Sequence, residues 1–187
     1  CLLIVSDSQI LNYKIMSFNN VFYQINDLSF LFCIVFLIIG LFGKIFSFYR
    51  ENSNEKGYVL LYIASALGVV LSGDFLTLYV FWEAMAITST FVIWSTRNQL
   101  SLNSGNRYII IHLIGGLILL IGLIGLYGQT NDLTIREISL NTWYSWFILI
   151  GLLLNAGAPP FSQWIPDAYP EGSYSSSVFL SAYTTKT

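Results

Sequence analysis

The sequence predicts an all-α integral membrane protein, a polytopic helix bundle, and three observations predict it. Of 187 residues, 55% are hydrophobic and 17% aromatic, while only 10% are charged, far from the balance of a soluble domain. The apolar residues come in runs too long for the helices of one soluble core and long enough to span ~30 Å of hydrocarbon. Between the runs lie short polar stretches such as RENSNEK and QTNDLTIREISLNT.

Two regions follow from the pattern. Residues 1–27 form an N-terminal segment in which LNYKIMSFNNVFYQIND mixes polar and aromatic residues in partial alternation, as a short interfacial hairpin would. Residues 28–187 form the membrane domain. Its first span is LSFLFCIVFLIIGLFGKIFSFY, about 20 apolar residues interrupted only by Lys44. GYVLLYIASALGVVLSG and FLTLYVFWEAMAITSTFVIW are two further spans joined so tightly at Asp74 that they must be antiparallel neighbours. STRNQLSLNSGNR reads as a connection before the fourth span, YIIIHLIGGLILLIGLIGLYG, and WYSWFILIGLLLNAGAPPFSQWI is the fifth. SSSVFLSAYTTKT opens a sixth, truncated span. A start at Cys1 and an end still helical in pattern make the chain read as a fragment, so five full spans and part of another are expected.

Charge supplies orientation and exclusions. Lys44, Arg50, Lys56, Arg97 and Arg107 fall on one side of these spans and Lys14 and Arg136 on the other, which puts the first group inside the cell. Ten acids and eight bases without a basic block give no reason to expect nucleic-acid binding. Cys1 and Cys33 have no spacing for a disulfide framework or a zinc site. No haem, flavin, nucleotide or metal motif is present, so no cofactor is expected and the chain is not expected to be catalytic by itself.

Chemistry must then come from polar groups at membrane depth, where a charge costs ~2.5–3.5 kcal/mol on insertion scales. Glu83 lies about eight residues into its span, roughly 10 Å from the helix start, too deep for its short side chain to reach water easily. Lys186 falls about a dozen residues past Glu171-Gly172-Ser173, roughly 18 Å into the last helix. A carboxylate and an amine at similar depth can pair or exchange protons through water, although each can also serve only in a structural ion pair. In NAGAPPF, Pro159 and Pro160 lack N–H groups and Pro159 conflicts with the Asn155 carbonyl, so the helix should break there, with Asn155 and Ser162 as polar company. Broken helices of this kind mark transport sites. His112, one turn after Arg107, reads as a solvated or helix-packing residue, and Gly115, Gly116, Gly122, Gly125 and Gly128 as a smooth packing face. Trp143, Tyr144, Trp146, Trp164 and Tyr169 read as interfacial belts. Asp74 and Asp167 read as hydrated or helix-capping carboxylates.

FWEAMAITST, RYIIIHLIGG and LLLNAGAPPFSQWIPDAYPEG followed by VFLSAYTTKT resemble the proton-conducting membrane transporter family, which comprises the antiporter-like subunits of NADH:quinone oxidoreductase and the large subunits of Mrp-type cation/proton antiporters. PPFSQWIPDAYPEG is the strongest marker, being similar to the family's Pro-Phe-His-x-Trp-Leu-Pro-Asp-Ala segment, and its wording leans towards the D-type of the Mrp subunits. The resemblance implies a protein of about fourteen helices built from two inverted five-helix repeats. This chain would supply family helices three to eight, most of the first repeat.

Glu83 then matches the buried glutamate of helix five, Lys186 the lysine of helix eight, and the Pro159 region the break in helix seven. Two departures stand out: Asn155 and Ser162 occupy positions where the family usually carries a lysine and a histidine. The implied function is a membrane subunit of a complex that translocates protons, in exchange for Na+ or another monovalent cation in the Mrp case. The implied partners are other membrane subunits and the lipid bilayer. The implied location is the cell (inner) membrane, ahead of the mitochondrial inner membrane. The alternative, suggested by the two lost titratable groups, is a subunit that assembles such a complex without conducting.

Overall fold

The computed structural model describes residues 10–15, 18–48, 53–160, 162, 164–168, 170 and 172–184. It opens with an antiparallel hairpin of β1 (Ile10–Ile15) and β2 (Phe18–Gln24), with a register irregularity between Leu11 and Asn12. Seven helices follow among the described residues: α1 (Asp27–Ser47), α2 (Ser53–Val70), α3 (Phe75–Trp94), α4 (Gln99–Thr130), α5 (Trp143–Asn155), α6 (Trp164–Ala168) and α7 (Tyr174–Tyr183). The protein is an all-α membrane bundle with this hairpin at one end.

Each long helix starts at a sequence cap. Asn26 and Ser29 form a reciprocal capping box at α1, Asp74 accepts from the Thr77 N–H at α3, and Asn98 accepts from the Ser101 N–H at α4. Asp74 is a cap, but a buried one rather than a hydrated one, because the Phe75 N–H bonds the Leu133 carbonyl and the chain beside it bridges to Thr134. At the same end of the bundle, the Gln24 N–H donates to the Leu71 carbonyl and ties the hairpin to the α2–α3 turn.

The stretch Gln99–Arg107, expected as a connection, is the first part of α4, which runs for 32 residues. Ser101, Ser104, Gly105, Tyr108, His112, Gly115, Gly116 and Leu119 recur at three- and four-residue spacing and are all buried on one face. Small residues let the polar end of that face pack: a Cβ on Gly105 would fall on the Trp94 indole.

Of the described helices, α1, α3 and α4 are long and apolar enough to cross a membrane. The first turn of α2 carries Glu55, joined there by Lys56, which shortens its apolar length, and α5 has 13 residues before it stops. Large apolar side chains on α1, including Leu31, Leu41, Phe42 and Ile45, face outward, as a lipid-facing surface does.

Two apolar clusters hold the bundle. The larger joins Phe36, Tyr62, Trp82, Met85, Tyr108 and Phe179 across α1, α2, α3, α4 and α7, and the smaller joins Phe75, Leu119, Leu123 and Ile148 across α3, α4 and α5. Backbones come closest between α4 and α5, where a Cβ on Gly122 would meet the Ile148 backbone nitrogen at 2.7 Å and one on Gly151 the Leu119 nitrogen at 2.8 Å. Gly128, grouped with that packing face by spacing, instead looks into open space.

Candidate functional site

The break after α5 is made differently from the proline clash expected. α5 ends at Asn155, and Gly157 adopts φ +68°, the left-handed region. The Ala158 N–H donates to the Leu153 carbonyl at 2.9 Å and the Gly157 N–H to the Leu154 carbonyl at 3.2 Å, the two bonds of a Schellman stop. Pro159 and Pro160 follow a helix that has already closed, and they prevent its resumption. The chain then folds back so that Trp164, almost wholly buried, donates from Nε1 to the Leu154 carbonyl at 3.4 Å. Trp164, expected in an interfacial belt, is therefore the plug of the break. Ser162 is half-buried in the turn, its carbonyl accepting from the Ile165 N–H.

The end of α5 brings Asn155 against α4. A Cβ on Gly115 would fall within 3.0 Å of Asn155 Cγ, and one on the next residue, Gly116, within 2.7 Å of Glu83 Cδ. Two adjacent glycines thus make a seat on which the Glu83 carboxylate of α3 and the Asn155 amide of α5 come to rest next to each other. Glu83 is half-buried, and among the described residues no cation pairs with it. Asn155 is 1% exposed and its Oδ1 has no hydrogen-bond partner.

His112, one turn along α4 from this seat, belongs to the same neighbourhood, which sequence reasoning missed. It is 1% exposed rather than solvated, and its ring lies 4.3 Å from that of Tyr108 and 4.7 Å from that of Trp164. It faces Asn155, yet neither of its ring nitrogens closes a hydrogen bond. The signal that could have found it is the spacing of His112, Gly115 and Gly116, three and four residues apart and therefore on one helix face. Further along that face, the Tyr108 hydroxyl and Ser89 Oγ share a buried 2.8 Å hydrogen bond.

Lys186 lies outside the described residues. The helix leading towards it, α7, is anchored by polar bonds: the Tyr183 hydroxyl donates to the Phe36 carbonyl at 2.7 Å, and Tyr62 and Thr184 share a hydrogen bond. At the α4 end of the bundle, Arg107 makes a bidentate pair with Asp167, at 2.6 and 2.7 Å. These hydrogen bonds hold the Asp167 carboxyl below the usual carboxylate range. Neither aspartate of the tight connections is near the Glu83 seat through any described bond; Asp74 caps α3 and Asp167 ties α6 to α4.

The family model for the transmembrane region of NADH:quinone oxidoreductase and Mrp antiporters matches residues 72–187, which include α3 to α7 and every residue of this site. The chain belongs to this family. It is 31% identical to the A-type Na(+)/H(+) antiporter subunit of Alkalihalophilus pseudofirmus and 32% identical to the A1-type one of Staphylococcus aureus, in each case over 77% of this chain and 20% of that protein. The chain therefore spans about a fifth of the length of these relatives. Both relatives are of the A-type, whereas the wording of the final segment leans towards the D-type.

The Mrp complex from Dietzia sp. superposes with a TM-score of 0.80 at 25% identity, over 88% of this chain and 33% of that one. An archaeal membrane-bound sulfane sulfur reductase superposes equally well at 24% identity, over 88% and 36%, and shows the shared fold.

Proposed function

We propose that this chain is part of a membrane subunit that moves protons, in exchange for Na+ or another monovalent cation, within a multi-subunit complex of the cell membrane. The observation that carries the proposal is the Glu83 carboxylate: it sits near the middle of α3, on a seat emptied of side chains by Gly116, beside the unsatisfied amide oxygen of Asn155. A carboxylate at that depth without a paired cation is costly unless protonation and deprotonation are its task. The family and the Na(+)/H(+) antiporter names of its relatives agree with that reading.

In this mechanism Glu83 accepts a proton, the break between Asn155 and Ser162 admits water, and Lys186 holds or passes charge. The release of one site is then coupled to the charge of its neighbour. The test is Na+- and pH-dependent proton exchange in inverted vesicles carrying the whole complex, with and without Glu83→Gln. The variant should assemble and lose exchange by about 10²-fold or more. Unchanged exchange would remove Glu83 from the path.

Asn155 and Ser162 favour a second reading, a subunit that assembles the complex without conducting, since neither side chain titrates where the family carries lysine and histidine. Asn155→Lys separates the two. It should impair a path adapted to asparagine, whereas a closed path would tolerate it with exchange by the complex unaltered.

A further inference from the structure

We propose that His112 is a proton-relay residue of this chain, taking up and releasing the proton exchanged at Glu83, with Asn155 Oδ1 orienting its ring. The inference rests on the conducting reading of Glu83 and extends it to a residue whose position alone suggested packing. Three observations carry it. His112 is buried to 1% exposure with both ring nitrogens unpartnered, a state that buried polar groups seldom keep without a reason. Asn155 Oδ1, the acceptor that faces it, is equally buried and equally unpartnered. Both stand beside the Gly115–Gly116 seat that holds the Glu83 carboxylate. Three orphaned polar atoms and one carboxylate therefore share one wall of α4, about one helical turn, ~5.4 Å, from end to end.

That separation is the span of a single bridging water, and a water with partners of this number and kind is well satisfied. The proton leaves the carboxylic acid form of Glu83 through this water for one imidazole nitrogen. A carboxylate and an imidazolium result, and the second N–H of the ring donates to Asn155 Oδ1. Return to the neutral ring passes the proton to water at the break. An asparagine suits this arrangement because it accepts a hydrogen bond without adding a charge that would oppose the imidazolium. A lysine at the same position would oppose it. The other groups around the ring are neutral: Tyr108 on α4, with its hydroxyl engaged by Ser89 of α3, and Trp164 of α6. The nearest charges towards the start of α4, Arg107 and Asp167, are closed on each other.

His112 is the single histidine of the chain, so 15N-imidazole labelling of this subunit, with unlabelled partners, gives one ring to follow by solid-state NMR in membranes. We expect its nitrogen resonances to titrate between about pH 5 and 9, with a midpoint moved by Glu83→Gln. In inverted vesicles, His112→Gln and His112→Phe should both lose exchange by about tenfold or more. A ring that keeps one neutral tautomer throughout, or a midpoint indifferent to Glu83→Gln, overturns the proposal even if neither variant assembles. Loss of exchange in Glu83→Gln beside a silent ring leaves Glu83 conducting and removes only His112. Survival of exchange in Glu83→Gln removes both.

Discussion

Gly115 and Gly116 show how an absence of side chain creates a site. At most positions of α4 a glycine would cost about 1 kcal/mol relative to alanine. Here it leaves the volume that Glu83 and Asn155 occupy. Gly116→Ala should therefore destabilise the assembled complex by about 1–3 kcal/mol through overpacking, displace the carboxylate and depress exchange. Gly128→Ala, with nothing within 4 Å, should be neutral or stabilise the helix by up to about 1 kcal/mol. Thermal melts of the purified complex would measure both.

The Arg107–Asp167 pair gives a residue-scale prediction in pH. Its carboxyl is held low in the fold, so its contribution is complete above the unfolded value, about 4, and is lost as pH falls through the lower folded value. The partners are 56% and 40% exposed, so Asp167→Asn should cost no more than about 1 kcal/mol at neutral pH. The difference between variant and parent should vanish in melts taken at acid pH.

At the scale of elements, the decisive event is where α5 stops. A Schellman stop at Gly157 ends the helix two residues before Pro159, delivers Asn155 to the α4 seat and leaves room for Trp164 to fold beneath it. Gly157→Ala places a Cβ in a left-handed residue and within 2.6 Å of Ile165 Cδ1. It should cost about 1–2 kcal/mol or more and speed amide hydrogen exchange at the end of α5. Proline spacing alone located this break to within a few residues. Its geometry was not legible there, because both the left-handed glycine and the returning tryptophan depend on packing against α4. The long α4 taught the same lesson: Gln99–Arg107 looks like a loop by composition, yet serines and a glycine at helical spacing suit a buried face once Trp94 lies against it.

At the scale of the whole molecule, antiparallel helices sort the ends of the bundle into two sides. Lys44, Lys56 and Arg97 share one side, and Arg136 and the hairpin lie towards the other. On a background of Cys1→Ser and Cys33→Ser, Asn103→Cys and Glu137→Cys should react with an impermeant maleimide from opposite sides of the membrane, Asn103→Cys from the inside. Reaction of both from one side would invalidate this topology. The same architecture couples distant parts of the chain: α7 is fixed to α1 and α2 through Tyr183 and Tyr62, so its approach to the bundle is set by helices laid down more than a hundred residues earlier.

Composition and run length by themselves determined that this chain is a membrane helix bundle, because burying long apolar runs in lipid is a property of local sequence and needs no partner. The depth of Glu83 and the presence of a break near Pro159 were legible for the same reason. Only the tertiary structure decided that Glu83, Asn155 and His112 meet, since they sit on three helices and the distance between them depends on which faces pack. A pair of glycines on α4 sets that approach, and nothing in the spacing of Glu83 and Asn155 along the chain encodes it.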